Sequence, residues 1–223
     1  MSRFYQQFIA EGDLCFDVGA HVGNRVRAWR RLGARVIAVE PQPQCLSVLR
    51  YLYGRDGAVE VVPSAVGASR GRTMLHTSST NPALSTTDAD WVAELTSGDR
   101  RFAPIQWDIR LEVDVDTLDD LITRYGEPTF CKIDVEGSEL MVLRGLSRAL
   151  PALSFEFLPV SIDRAFACID RLASLGSYRF RWSAAETMRW ASLEWIDGDG
   201  MKDLLAGQPV EGYSGDVYAL LAE

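Results

Sequence analysis

LCFDVGAHVGNRVRAWRRLGARVIAVEPQP, residues 14–43, changes periodicity twice. LCFDV is a short apolar run that ends at Asp17 and then Gly19, which reads as a strand running into a turn. Residues 23–32 then carry Val26, Trp29 and Leu32 at helical spacing until Gly33, and RVIAV at 35–39 is a continuous, β-branched run that stops at Glu40-Pro41. A second helical stretch at 44–53, with Leu46, Leu49 and Tyr53 on one side, leads to a third strand at 58–62. Three strands separated by two helices imply right-handed crossovers in a parallel sheet, because parallel neighbours need a long connection.

Downstream, the same alternation resumes with strands at 111–115 (LEVDV), 129–134 (TFCKID) and 152–157 (ALSFEF), separated by helices at 117–124 and 139–150. A helix at 162–174 and strands at 178–182 and 216–221 close the chain. The expected fold is therefore α/β: a doubly wound, mostly parallel seven-stranded Rossmann-like sheet, forming a single domain over 1–223. Residues 69–110 interrupt it with weak periodicity and clusters such as Ser78-Ser79-Thr80-Asn81-Pro82. That stretch is too long for a simple connection and reads as a lid-like insertion.

Composition narrows the function. The 223 residues are 47% hydrophobic, enough for one well-filled core, and 23 Lys and Arg against 31 Asp and Glu give a net charge of −8. That balance is poor for gripping phosphate backbones, so no nucleic-acid partner is expected. No run approaches the ~20 apolar residues that cross a bilayer, and the N-terminal MSRFYQQFIAEGD has no apolar signal core, so a cytoplasmic protein without membrane attachment is expected. Cys15, Cys45, Cys131 and Cys168 stand far apart without zinc-site spacing and read as reduced core thiols. With only His21 and His76, a multi-histidine metal site is excluded. The sequence carries no signal for an oligomeric state.

In an open parallel sheet, ligands sit beyond the carboxyl ends of the strands. The glycine loop there argues against a dinucleotide: GxGxxG needs a second glycine for close approach of a pyrophosphate, yet that position is His21, and the loop is preceded by the acid Asp17. S-adenosylmethionine, with an ammonium for Asp17 and no phosphate, fits better. Asp17, Gly19, Ala20, His21, Gly23 and Asn24 are the candidate cofactor contacts of the loop. Gly19 would let the chain pass close to the ligand. Glu40, at the end of the second strand, can accept hydrogen bonds from both ribose hydroxyls, which places Ser64 and Ala65, after the third strand, at the adenine edge.

The segments DVGAHVGN (17–24), VEPQP (39–43), SAVG (64–67), TLDDL (117–121), KIDVEGSELMVLRG (132–145) and SFEF (154–157) resemble the FkbM-type class I methyltransferases. The likeness runs from about residue 13 to 160, with KIDVEGxE its most specific block; the family's loop reads DVGANVG, so His21 departs from it. The resemblance implies S-adenosylmethionine-dependent O-methylation of a hydroxyl on a sugar or natural-product small molecule.

A hydroxyl acceptor must lose its proton, which calls for a general base or a metal ion. Asp134, at the end of its strand, is the leading candidate; Lys132, on the same side of that strand, and His76, entering the insertion, are the others. Asp134, Glu136 and Glu139 offer an oxygen set for Mg²⁺. Trp182, Trp190 and Trp195 form either an aromatic acceptor platform or core packing. N-methylation is the nearest rival reading. A nicotinamide-dependent oxidoreductase is disfavoured by His21 and by the lack of a YxxxK pair, and a non-catalytic cofactor-binding module is the third alternative.

Overall fold

LCFDV forms strand β1 (Leu14–Val18), after a single helical turn α1 (Ser2–Tyr5), and RVIAV forms β2 (Arg35–Val39). A computed structural model describes residues 1–81, 84–98, 103–209, 212 and 214–222. Helix α2 (Asn24–Arg30) crosses from β1 to β2 and buries Val26, Ala28 and Trp29. Helix α3 (Pro43–Tyr53) opens with a proline at its first position, where the missing N–H leaves no bond unmade, and delivers the chain to β3 (Val59–Val62).

The chain then leaves this sheet. β4 (Ala65–Val66), β5 (Gly71–Thr77), β6 (Ser85–Thr86), helix α4 (Ala89–Gly98) and β7 (Ile109–Asp116) follow, and the four strands make a separate sheet in the order β4-β7-β5-β6. The stretch 69–110, expected as a lid, thus contributes ordered strands as well as a helix; its residues 82–83 and 99–102 lie outside the described residues. The strand expected at 111–115 belongs to this second sheet and pairs antiparallel with β5 (Leu75 opposite Leu111).

Helix α5 (Leu118–Tyr125) starts with a reciprocal capping box between Thr117 and Asp120 and leads into β8 (Phe130–Ile133). Helix α6 (Glu139–Arg144) is shorter than the periodicity predicts. At Gly145 the chain turns because its carbonyl accepts the Asp119 N–H at 3.1 Å and its Cα lies against the Gly67 carbonyl, where a Cβ would stand 2.2 Å away. Strand β9 (Ala152–Phe157), helix α7 (Ile162–Leu175), β10 (Tyr178–Ala184), helix α8 (Gly198–Ala206) and β11 (Gly215–Leu221) complete the chain.

The main sheet has the order β10-β11-β9-β8-β1-β2-β3, with β11 antiparallel to both its neighbours and all other pairs parallel. Alternation along β1 divides the interior: Phe16 and Val18 face a core shared with α5, α6 and α7, while Cys15 faces Val26, Trp29 and Phe130. All four cysteines are buried and unpaired, as expected of core thiols. Trp190 and Trp195 pack with Phe4, Phe8 and Tyr218, and Trp182 packs on Phe157, so the three tryptophans serve packing. Among the described residues no helix is long and apolar enough to cross a membrane. Strand order reverses between β1 and β8, which makes the space beyond their carboxyl ends the natural crevice for a ligand.

Candidate active site

A cavity of about 240 Å³ occupies that crevice, and the loop after β1 forms its floor. The N–H groups of Gly19 and Ala20 both donate to the Val39 carbonyl, at 2.9 and 3.0 Å, which folds the loop back onto the end of β2. Gly19 takes φ +83, and a Cβ there would lie 1.7 Å from the Asp134 carbonyl oxygen. The glycine is therefore demanded first by the neighbouring strand's backbone, where proximity to the ligand was the expected reason. Gly23 does not line the cavity; its bare Cα, at φ +85, packs against Tyr53 and Leu49. His21 is also left-handed, with φ 49, a conformation that asparagine and histidine tolerate better than most side chains. That explains why histidine can stand where the similar loop has asparagine.

Glu40 is 3% exposed and lines the cavity. Its Oε2 accepts the His21 N–H and its Oε1 the Gln42 N–H, both at 2.8 Å, so the carboxylate is fixed while each oxygen keeps a lone pair for a further donor. Burial pushes its pKa up to about 7 against the pull of these two N–H groups. Asp17 is buried below the loop, and among the described residues neither carboxylate oxygen accepts a hydrogen bond of good geometry. Burial raises its pKa to about 6, with Arg25 and Lys132 acting in the opposite direction. An orphaned buried carboxyl group and a pre-set carboxylate at the end of β2 fit the ammonium and ribose of S-adenosylmethionine. Ala20, Asn24, Ser64 and Ala65 also line the cavity, and the Ser64 hydroxyl donates to Asp116 Oδ2 at 3.0 Å.

At the other side of β1 three adjacent strands bring carboxyl groups to one level. Asp216 stands opposite Glu156 in the β11–β9 register, and Asp134 follows Ile133, which stands opposite Phe155. Lys132 sits behind them, fully buried, with Nζ 2.6 Å from Asp216 Oδ1 and 3.3 Å from Asp134 Oδ2. Burial lowers its pKa, but these two acids outweigh that effect and raise it, so it remains an ammonium. Arg25 Nη2 adds contacts to Glu186 at 2.7 Å and to Asp134 and Asp216 at 3.8 Å. Burial alone would raise the pKa of Asp134, yet Lys132 and Arg25 hold it below the usual carboxylate range. Burial and neighbouring carboxylates push Glu136 and Glu156 well above that range.

Three expectations are corrected here. Lys132 does not reach the cavity; its ammonium is sealed among Asp134, Asp216 and the Ile133 carbonyl and serves to anchor the acids. His76 is absent from the lining because Leu75, its neighbour on β5, points inward and alternation sends the histidine to the opposite face. Glu139 turns away from the proposed Mg²⁺ set: its Oε1 accepts the N–H groups of Val135 and Gly137 at 3.1 and 3.2 Å. Among the described residues, the three carboxylates that do converge, within 4.8 Å, are Asp134, Glu136 and Glu156. Asp134 is already neutralised by Lys132 and Arg25, two cations that would repel a divalent ion, so this donor set does not suit Mg²⁺.

The remaining wall comes from the insertion. Leu75, Ser85, Thr86 and Thr87 line the cavity, and Gln42 ties Ser85 to the frame through a 2.7 Å hydrogen bond. Helix α4 is docked by Arg164, which bonds Asp88 at 2.6 Å, Glu94 at 3.0 Å and the Gly137 carbonyl at 3.0 Å. Trp91, 1% exposed, lies flush on Gly137, where a Cβ would be 2.3 Å from its ring. Sequence reasoning missed Arg25, Asp216 and the two threonines as parts of the site. Arg25 directly follows the loop and could have been found there, whereas Asp216, 84 positions from Lys132, has no local signal.

The chain matches the methyltransferase FkbM domain over residues 17–175. No curated protein sequence matches it. Among solved structures it is similar to the precorrin-6y C5,15-methyltransferase of Geobacter metallireducens GS-15, with a TM-score of 0.51 at 11% identity, covering 99% of this chain and 87% of that one. It is also similar to precorrin 8w decarboxylase of Methanobacterium thermoautotrophicum, with a TM-score of 0.50 at 11% identity, covering 100% and 89%. At such identities the likeness concerns the fold alone.

Proposed function

Because the chain belongs to the methyltransferase FkbM domain family, we propose that this S-adenosylmethionine-dependent methyltransferase acts on a hydroxyl of a sugar or natural-product small molecule. The cofactor supplies an electrophilic methyl group on a sulfonium. Asp17 and Glu40 would hold its ammonium and ribose, and Ser64 and Ala65 would border its base.

The observation that carries the hydroxyl reading is the convergence of Asp134, Glu136 and Glu156 at one end of the cavity. Carboxyl groups there can orient a hydroxyl and receive its proton. Thr86 and Thr87 also line the cavity with neutral hydroxyls, the first accepting the Asp88 N–H and the second bonded to Ser138, each with hydrogen-bonding capacity left for a polyol. We place the protein in a reducing, cytoplasmic setting on its four unpaired thiols.

Calorimetric titration with S-adenosylhomocysteine, with NADH as control and Glu40→Ala as second sample, tests the cofactor. Transfer of labelled methyl to a panel of simple glycosides and matched amino sugars then separates O- from N-methylation. Label on the amine alone would overturn the hydroxyl reading.

A further inference from the structure

Resting on the methyltransferase reading above, we propose that Glu136 stands at the transferring methyl group and takes the proton of the acceptor hydroxyl. The other groups near that end of the cavity are already committed. Asp134 is paired with Lys132 and Arg25; Glu156 sits within β9, opposite Asp216 and beside Asp134, rather than on the loop that enters the cavity; Glu186 is paired with Arg25, and Glu139 with two backbone N–H groups. Asp17 also lines the cavity but is engaged by the cofactor's ammonium in the proposed reading. Glu136 lines the cavity with a carboxyl group that has neither a hydrogen bond nor an ion pair among the described residues.

The backbone is built to hold it there. Glu136 has φ 55 and Gly137 φ 89, a left-handed conformation that a glutamate adopts only where its surroundings impose it. One oxygen of Glu139 accepts the N–H on either side of Glu136, from Val135 and Gly137, and Trp91 lies over Gly137. Glu139 is thus a positioning residue: it fixes the arch from which Glu136 projects. The location follows from the sheet. Glu40 and Ser64 mark the ribose and base on the β2 and β3 side, which leaves the sulfonium end across β1, towards β8 and its loop.

In the step, the acceptor oxygen forms a bond to the methyl carbon, the carbon–sulfur bond breaks with its electron pair going to sulfur, and the hydroxyl proton passes to the Glu136 carboxylate. A sulfonium and a carboxylate become a neutral sulfide and a neutral acid, so the pocket's charge balance is preserved. Its buried, acid-rich surroundings raise the proton affinity of Glu136 in the sense a base requires.

The test uses sinefungin, which carries an amine where the donor carries its methyl, against S-adenosylhomocysteine, titrated at pH 8.5 into wild type and Glu136→Gln. Wild type should prefer sinefungin by at least tenfold, and E136Q should lose that preference while its affinity for S-adenosylhomocysteine stays within twofold. On a glycoside accepted in the panel, E136Q should lose at least 100-fold in kcat with the donor KM unchanged. A preference retained in E136Q, or absent from wild type, or an unchanged kcat overturns the assignment. If E136Q fails to fold, Glu136→Asp replaces it and should retain less than a third of the preference; full retention overturns the proposal. Absence of S-adenosylhomocysteine binding by wild type would instead sink the cofactor reading itself.

Discussion

Glu40 reaches back 19 positions to receive the backbone N–H of His21 at 2.8 Å, tying the end of β2 to the loop that follows β1. One carboxylate thereby sets the loop's shape and remains able to accept from a ligand.

Cofactor affinity should depend on pH through this residue. Ribose hydroxyls donate to the ionised form, and Glu40 has a pKa of about 7 in the free protein, so binding releases a proton below that pH. Affinity for S-adenosylhomocysteine should rise by up to about tenfold per pH unit below 7 and level off above it. Glu40→Gln should bind more weakly at pH 8 and have a flatter profile. Calorimetry between pH 5.5 and 8.5 checks both, and an equally steep profile in the variant would discount Glu40 as the linked group.

Lys132→Met should be strongly destabilising. It leaves Asp216 and Asp134 facing each other without their buried cation, a loss of about 3–5 kcal/mol. Adding Asp216→Asn should recover part of that loss, because Arg25 is then left with one buried acid fewer to balance. Urea unfolding of the two single variants and the double gives the coupling; strict additivity would mean the pair is not an energetic unit.

Gly19→Ala should fail to give the native loop. The new Cβ would fall on the Asp134 carbonyl oxygen, and φ +83 adds backbone strain. Little soluble protein, or a sharply lowered Tm, is the expected result. A Tm within a few degrees of wild type would show that β1 and β8 can separate at this point.

Trp91→Ala should loosen the insertion more than the frame. The side chain is 1% exposed and seals the loop at Gly137, so truncation costs about 3–5 kcal/mol locally. Limited proteolysis should cut faster within residues 84–98, and affinity for S-adenosylhomocysteine should fall several-fold as Thr86 and Thr87 lose their support. Unchanged cleavage would mean that Arg164 holds α4 by itself.

The frame was legible because its signals are local: Gly33, Pro41 and the β-branched RVIAV run punctuate β1, α2, β2 and α3 within thirty residues. The loop, Glu40 and Asp134 follow from position, since strand ends in a parallel sheet converge. What could not be read depends on long-range pairing. Lys132 looked like a possible acid–base partner because nothing near it in sequence announces Asp216, and His76 looked available because the strand's facing is set by a second sheet. Glu139 looked like a ligand because its two backbone donors exist only once Glu136 and Gly137 adopt left-handed φ.

The second sheet also has a topological consequence. β4 lies parallel to the end of β7, with Ala65 opposite Val115 and Val66 opposite Asp116, so the excursion departs and returns at adjacent points. The Gly67 N–H closes the neck by donating to the Asp116 carbonyl at 2.9 Å. Everything between that neck is a detour that can be exchanged with little change in the distance its ends must span. Leu75, Thr86 and Thr87 travel with the detour, while Asp17, Glu40 and Glu136 stay with the frame. The wall that the detour supplies is therefore separable along the chain from the carboxylates of the frame, and a graft at the neck would exchange the one without the other.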